Sequence, residues 1–319
     1  MQIIKTVTVL VSLVAASQLS TAGLPDEIHI IVPIAAGSSL DARARVIADA
    51  LGTRLQRRII VENRPGAGGT IGSLAAARAK PDGSTLLFTK NSHVVNPHVY
   101  KNIGYNAMKD FLPVAYRYVA GVVLVAHPSV PAASLKALVE LAKNSVEPLS
   151  YASSGTGGMP HLATELLKEV AGIDLLHIPY HGDGQALTDV LAGRVPLMMS
   201  GYVVALPHIK AGTLRALAVS SKQRVAILPD VPTIAEAGYP AYSIDIWSGF
   251  FAPAGTPADV VSKLNQEISA AIALPQVQTQ FADTGAQSVA ASPAEFASFV
   301  RSEWEVFGKL VKRLQLKAE

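Results

Sequence analysis

The chain has 319 residues, of which 50% are hydrophobic and 16% charged, with a formal net charge of +3 and no cysteine. A chain of this length can bury a large core and has room for two domains. The small net charge and the lack of a basic run exclude a nucleic-acid-binding profile, and the lack of cysteine excludes disulfides and a cysteine-liganded metal site.

The first 22 residues have the pattern of a secretory signal peptide. Lys5 lies in a short n-region, an apolar stretch follows over residues 7–16, and Ser20-Thr21-Ala22 forms a small-residue cleavage site. The apolar stretch is too short for a comfortable membrane span. We therefore expect cleavage after Ala22 and a periplasmic mature protein.

After residue 23 the sequence alternates between strand and helix patterns. "EIHIIVPI" predicts a strand, and after a small-residue loop apolar residues recur at helical spacing from Leu40 to Leu55. Ser38 and Asp41 fit a helix cap at the start of this segment. "RRIIVEN" and "STLLFTK" predict two further strands, separated by a glycine-rich turn and a small-residue helix.

The rest of the chain continues this alternation. "VVLVAHPS", "LSYASSG", "PLMMSG" and "RALAVSS" predict short buried strands, and "PHLATELLKEVAG" and "QALTDVLAGRV" predict helices. Two later helices are predicted to begin at Pro257, with Thr256 as cap, and at Pro293, with Ser292 and Glu295 as a capping box. Strands separated by helical segments predict parallel sheets covered on both faces.

Three glycine-rich stretches open onto predicted helices, at residues 37–39, 66–69 and 155–158. The amino end of a helix presents unpaired amides, and these favour an anion. None of the stretches fits the G-x-G-x-x-G or G-x-x-x-x-G-K-[ST] nucleotide motifs. Turn formation stays an equal alternative for residues 66–69.

Two motifs contain residue types found in catalytic or metal sites, but neither has the sequence pattern of such a site. "YASSGTGG" places Ser153 and Ser154 at a turn, but it does not fit the G-x-S-x-G nucleophile elbow. His177 and His181 have the spacing of metal ligands on a helix, but Pro179 between them interrupts such a helix. We therefore expect neither a catalytic nor a metal site.

Eight stretches, in order along almost the whole mature chain, resemble the Bug family, the periplasmic solute receptors of tripartite tricarboxylate transport systems. Among them are "VPIAAGSSLDARAR", "VENRPGAGGTIGSLAAARAKPDGSTLL", "SYASSGTGGMPHLATELLK" and "HIPYHGDGQALTDVLAGRV". The resemblance implies an α/β fold of the two-domain type II periplasmic-binding-protein class, each lobe a mainly parallel sheet flanked by helices. It implies a first domain of residues 23–122 plus 247–319, a second of residues 123–246, and a ligand cleft between them.

The resemblance also implies that a small organic carboxylate is held in this cleft, mainly by backbone amides and ordered water. The residues expected to bind it lie in loops of both domains: Ile34, Ala35, Ala36, Gly37, Ser38, Ser39, Asp41, Ser92, His93, Asn96, Ser153, Ser154, Gly155, Thr156, His181, Gly182 and Asp183. We expect Asp41 to cap its helix rather than meet an anion, because like charges repel. His181 replaces a lysine common in the family, which predicts pH-sensitive binding.

The implied function is a receptor that closes on its solute and delivers it to a permease with two integral-membrane subunits. We expect a monomer without a cofactor. Monocarboxylates, dicarboxylates, amino acids, aromatic acids and nicotinic compounds all stay open as ligands, whereas the lack of lysine and arginine among the expected cleft residues argues against heavily charged tricarboxylates. A receptor that presents its ligand to a sensor protein is a related alternative, and a secreted serine hydrolase is an alternative of another class.

Overall fold

The computed structural model describes residues 23–180, 182–242, 244, 246–282 and 287–316. The predicted signal peptide and His181 lie outside these described residues. Within these ranges, none of the helices combines the length and the apolar character that a membrane span requires.

The first part of the chain alternates strands and helices. Its elements are β1 (Glu27–Val32), α1 (Ser39–Leu55), β2 (Arg58–Asn63), a 3-10 turn (Ala67–Gly69), α2 (Thr70–Ala77), β3 (Thr85–Lys90), α3 (Ser92–Val99) and β4 (Phe111–Ala120).

The chain then forms a second sheet and afterwards returns to the first. The elements of the second sheet and its helices are β5 (Val122–Ala126), α4 (Leu135–Asn144), β6 (Leu149–Ser153), α5 (Met159–Ala171), β7 (Leu175–Pro179), α6 (Asp183–Leu191), β8 (Leu197–Gly201), α7 (Tyr202–Lys210) and β9 (Arg215–Val219). The elements after the return are β10 (Ile246–Pro253), α8 (Ala258–Ile272), α9 (Pro275–Ala282), β11 (Gln287–Val289) and α10 (Pro293–Arg313).

These strands form two sheets, each with its own helices, which we call lobe 1 and lobe 2. The sheet of lobe 1 has the order β11-β4-β10-β3-β1-β2, and that of lobe 2 has the order β7-β6-β8-β5-β9. The chain passes between the lobes at Gly121, and it has returned to lobe 1 by Ile246. The predicted domain bounds, residues 23–122 plus 247–319 for the first domain and 123–246 for the second, stay a prediction.

The two-lobed α/β architecture is as predicted, but the expectation of mainly parallel sheets holds for only part of each. β1 pairs in parallel with β2 and β3, and β6 pairs in parallel with β7 and β8. The remaining pairs, which join β10 to β3 and β4, β11 to β4, and β5 to β8 and β9, are antiparallel. The strands next to the lobe crossings therefore interrupt the parallel pattern that strand–helix alternation predicts.

Buried aromatic side chains join the central strands of lobe 1 to its helices. Phe88 and Phe250 stack on adjacent strands with ring centroids 4.4 Å apart. Trp247 is fully buried, its backbone amide donates to Asn91 Oδ1 at 2.9 Å, and its Nε1 donates to Glu303 Oε2 at 2.9 Å. β10 is thus fixed to both β3 and α10, close to the crossing between the lobes.

The helix caps agree with the sequence pattern at two of three predicted positions. Ser292 and Glu295 form the predicted capping box, and Ser38 Oγ accepts a hydrogen bond from the Asp41 amide at 3.2 Å. The prediction for Thr256 was wrong. Its hydroxyl donates to Pro253 O at 2.8 Å, and α8 begins at Ala258 without a side-chain cap.

Gly72 on α2 allows this helix to lie against the residue that follows β1. A Cβ at this position would lie 2.6 Å from Arg64 O and 2.9 Å from Pro33 Cα, and backbone atoms cannot easily move away. We predict that Gly72→Ala lowers the free energy of unfolding by about 1–3 kcal/mol because of overpacking. Urea unfolding measures the change.

Gly184→Ala provides the control, because a Cβ on this helical glycine would have no neighbour within 4 Å. This variant should be at least as stable as wild type, since alanine favours a helix over glycine. Equal unfolding midpoints for Gly72→Ala and wild type would contradict the close packing of α2.

Candidate ligand-binding cleft

Loops from both lobes lie at the carboxyl ends of parallel strands. β1 and β3 are parallel neighbours, so loop 1 (residues 33–38) and the start of α3 emerge at one edge of their sheet. β6 and β7 do the same in lobe 2, where loop 2 (residues 154–158) follows β6 and Gly182 and α6 come after β7. Ligands of α/β proteins bind at such edges.

Loop 1 is held by the buried carboxylate of Asp41, which is 3% exposed. Asp41 Oδ2 accepts from the Gly37 amide at 2.8 Å, and Oδ1 accepts from Asn63 Nδ2 at 2.9 Å. Arg45 lies one helical turn further on and pairs with the same carboxylate at 3.1 Å, and Asn63 Nδ2 also donates to Ile34 O at 3.2 Å. The loop is therefore fixed at both ends.

This environment keeps Asp41 ionised. Burial alone would raise its pKa, but the hydrogen bonds from the Gly37 amide, Arg45 and Asn63 lower the pKa below its usual range. The carboxylate of Asp41 thus bonds to groups of the protein itself, as we expect of a residue that caps its helix. An anionic ligand must be held by other groups of the loop.

The remaining groups of loop 1 are small and largely open to solvent. Ala35, Ala36, Gly37 and Ser39 are exposed, and Ile34 and Ser38 are half-buried. Ser39 is the first residue of α1, whose leading amides lack helical acceptors. The surface of the loop is therefore mostly backbone next to the positive end of a 17-residue helix.

The three residues expected from α3 have different surroundings. Ser92 is half-buried at the first position of the helix. His93 is 1% exposed, its Nε2 lies 3.1 Å from Ala107 O, and burial lowers its pKa to about 4. Asn96 donates through Nδ2 to Gly68 O at 3.0 Å and is buried. The side chains of His93 and Asn96 thus make hydrogen bonds inside lobe 1, and their contact with a ligand stays a prediction.

Ser153 ends β6, and loop 2, which follows it, consists mostly of small residues. Ser153 is fully buried, whereas Ser154 and Gly155 are half-buried and Thr156 is exposed. Gly155 has φ of 136°, a value that side chains rarely allow, and its amide donates to Ser153 Oγ at 3.2 Å. The loop then leads into the 13-residue helix α5.

Ser153 is close to a histidine but lacks the access that a nucleophile needs. Its Oγ lies 2.6 Å from His177 Nε2 and also donates to Gly155 O at 3.2 Å. The fully buried hydroxyl offers no surface to a substrate carbonyl, and the ring of His177 is stacked between Tyr151 and His161. The arrangement disfavours Ser153 as the nucleophile of a hydrolase and makes the Ser153–His177 pair a support for loop 2.

Two stacked imidazoles complete that support. The rings of His161 and His177 are 4.0 Å apart and nearly parallel, and His161 Nδ1 accepts from the Gly157 amide at 2.9 Å. Burial and the nearby His177 lower the pKa of His161 to about 4, and burial also lowers the pKa of His177. Because Nδ1 must be unprotonated to accept, loop 2 depends on a neutral His161.

Gly182 and Asp183 lie at the start of α6, while His181 lies outside the described residues. Gly182 has φ of 125° and is followed directly by α6, which begins at Asp183, two residues before the predicted Gln185. Asp183 is half-buried, and its Oδ1 is enclosed without a hydrogen-bond partner in the described part of the chain.

Two cations near this edge were absent from the expected site. Lys90 ends β3 with an exposed side chain, and Arg43 is half-buried in α1. Desolvation and the charge of Arg43 lower the pKa of Lys90, and the carboxylate of Asp183 partly offsets this. Lys90 therefore interacts electrostatically with both lobes. Its position at the end of a strand parallel to β1 is the sequence signal that could have identified it.

The comparisons with known proteins agree with this arrangement. The family model for the tripartite tricarboxylate transporter family receptor matches residues 43–316. The periplasmic binding protein BugD is 34% identical, with a TM-score of 0.72 over 92% of this chain and 99% of BugD. The chain belongs to the tripartite tricarboxylate transporter receptor family. The predicted resemblance to the Bug family is thereby confirmed.

Two further solved structures similar to this receptor hold dicarboxylates. A protein from R. palustris with adipate is 31% identical, with a TM-score of 0.74 over 90% of this chain and 96% of its own. MatC from Rhodopseudomonas palustris with bound malate is also 31% identical, with a TM-score of 0.70 over 89% and 98% of the two chains. Among the described residues of this receptor, no group of three or more His, Asp or Glu side chains could hold a metal ion.

We predict that Asp41→Asn destabilises loop 1 of the receptor. The amide group of the new side chain would place a donor next to Arg45 or Asn63, both of which donate to Asp41. The loss should be about 1–3 kcal/mol in the free energy of unfolding, together with weaker ligand binding. Asp49→Asn is the matched control, because Asp49 is exposed on the same helix. Equal losses in both variants would contradict the role of Asp41.

Acid should destabilise the receptor through His161. The pKa of this residue is about 4 in the folded state and about 6.5 in the unfolded chain, so the unfolded state binds the proton more readily between these values. Stability should fall as the pH falls from 6.5 towards 4. The glutamine of His161→Gln can still accept from the Gly157 amide but does not titrate. Between pH 7 and pH 5 the free energy of unfolding of this variant should therefore fall by about 1–2 kcal/mol less than that of wild type. Urea unfolding at the two pH values measures this, and identical losses would exclude His161 as a cause.

Proposed function

We propose that this receptor captures a small organic carboxylate between its two lobes and delivers it to a tripartite tricarboxylate-type membrane transporter. The observation that carries the proposal is the pair of loops at the carboxyl ends of parallel strands. Loop 1 and loop 2 each present small residues and backbone next to the amino end of a helix of more than ten residues. Helix amino ends of this kind favour an anion.

The fixed hydrogen bonds within each loop support binding rather than chemistry. Asp41 accepts a hydrogen bond from the Gly37 amide, and His161 accepts one from the Gly157 amide. Each loop is therefore held in one conformation before a ligand binds. A preformed loop loses less conformational entropy on binding. The exposed residues that can contact the ligand are Ala35, Ala36 and Gly37 of loop 1, Ser39 at the start of α1, and Thr156 of loop 2.

Closure of the lobes follows from contacts on both sides of the ligand. A carboxylate that touches loop 1 and loop 2 together stabilises the closed state by its differential affinity for that state. Gly121 lies between β4 and β5, where the chain crosses from one lobe to the other. A side chain there would reach within 2.0 Å of Tyr202 Oη, so the crossing is tightly packed.

The relatives with adipate and malate support a dicarboxylate as the ligand class. The membership of the family supports a membrane transporter as the partner. We propose that the receptor works in the periplasm as a monomer and carries out no covalent chemistry on its solute. The ligand-presenting role towards a sensor protein has no separate observation in its favour.

The test is a melting experiment on mature receptor that has been unfolded and refolded to remove any bound solute. The panel contains malate, succinate, adipate, citrate, benzoate, nicotinate and aspartate. A ligand at one hundred times its Kd should add about 2.7 kcal/mol to the stability, which is a shift of a few degrees. We expect at least one dicarboxylate to give this shift. After incubation with the receptor, that dicarboxylate should be chemically unchanged.

Cells that lack the receptor gene provide the test of delivery. Uptake of the radiolabelled dicarboxylate should fall in these cells and return with the wild-type gene. A panel without any hit would contradict the carboxylate ligand. A clear hit without any loss of uptake in the deletion strain would contradict delivery to a transporter and favour the sensor role.

A further inference from the structure

The side chain of Lys90 starts from the same sheet edge as loop 1. Ile31 of β1 pairs with Leu87 of β3 in parallel register, so the chain reaches Lys90 on β3 beside the start of loop 1 on β1. Lys90 is the exposed residue at the end of an otherwise buried run, Leu86 to Thr89. A lysine at this point brings a positive charge to the carboxyl end of the strand.

Arg43 lies on the same face of the sheet. Leu86 and Phe88 pack with α1 in one hydrophobic cluster, and Lys90 follows them at the two-residue spacing of a strand. On α1, Leu40 and Ala44 belong to this cluster, and Arg43 lies three residues after Leu40 at helical spacing. The charge of Arg43 is accordingly close enough to lower the pKa of Lys90.

Asp183, the first residue of α6 in lobe 2, is near enough to Lys90 for its charge to act on it. Its Oδ1 is enclosed and has no hydrogen-bond partner within the described ranges, and its charge acts on Lys90. A carboxylate of lobe 2 thus lies within electrostatic reach of Lys90. Lys90 and Arg43 carry two positive charges and Asp183 carries one negative charge, so an anion that entered between the lobes would meet an excess of positive charge.

We propose that Lys90, with Arg43 beside it, binds the second carboxylate of a dicarboxylate ligand whose first carboxylate lies on the amides of loop 1 and loop 2. This assignment rests on the proposed function, because it concerns the far end of the same ligand. Lys90 donates to that carboxylate as a point charge, and Arg43 adds to the positive potential. The pair makes the receptor selective for dianions over monoanions of the same length.

The experiment measures this selectivity by calorimetry. The probes are the tightest-binding acid among malate, succinate and adipate, and the monomethyl ester of that acid, which keeps most of the length and loses one charge. Wild type should bind the diacid at least about tenfold more tightly than the ester, as expected for one charge-assisted contact. Lys90→Gln should reduce this preference to within about twofold, and Lys90→Arg should keep it.

Lys101→Gln is the control, because Lys101 is also exposed in lobe 1 but follows α3 at its far end from loop 1. This variant should keep the preference of wild type. An unchanged preference in Lys90→Gln would overturn the assignment of Lys90 while the proposed function stands. An equal loss of both probes in Lys90→Gln would overturn it too, because Lys90 would then support the fold or the first carboxylate. If wild type binds none of these three acids but binds another acid of the melting panel, this inference fails and the proposed function stands. If no acid of the panel binds, both fail.

Discussion

The buried carboxylate of Asp41 is the interaction on which the cleft of lobe 1 depends. It joins the amide of Gly37, the side chain of Asn63 at the end of β2 and Arg45 on α1. Three separate elements are therefore fixed around one charge, and each hydrogen bond to that charge is stronger than a neutral one. Because the acidic group is used internally, loop 1 can present small residues and backbone to an anion without repelling it.

In lobe 2, neutral side chains hold loop 2 in place. His161 accepts from the Gly157 amide and stacks on His177, which in turn meets the hydroxyl of Ser153. Burial keeps His161 neutral, and neutrality is the condition for its hydrogen bond to loop 2. The two lobes thus differ in their pH response, since the support of loop 1 is an ionised carboxylate and that of loop 2 is an uncharged imidazole.

Local patterns predicted the elements well, whereas partners distant in sequence required the structure. Ser292 with Glu295 and Ser38 with Asp41 are capping contacts within three residues, so spacing alone identified them. Thr256 matched the same pattern, but its hydroxyl bonds to Pro253 O instead. That loop 1 and loop 2 hold the ligand stays a prediction.

Residues whose role depends on tertiary contacts were harder to identify. His93 and Asn96 lie in a stretch expected to face the cleft, but their hydrogen bonds to Ala107 and Gly68 keep them inside lobe 1. The role proposed for Lys90 depends on strand register and on the charge of Asp183 in the other lobe, and neither is visible in a local sequence pattern. A crystal structure with a bound dicarboxylate tests the central claim most directly. The account predicts one carboxylate on the amides of loop 1 and loop 2 together, and a ligand that contacts only one lobe would contradict it.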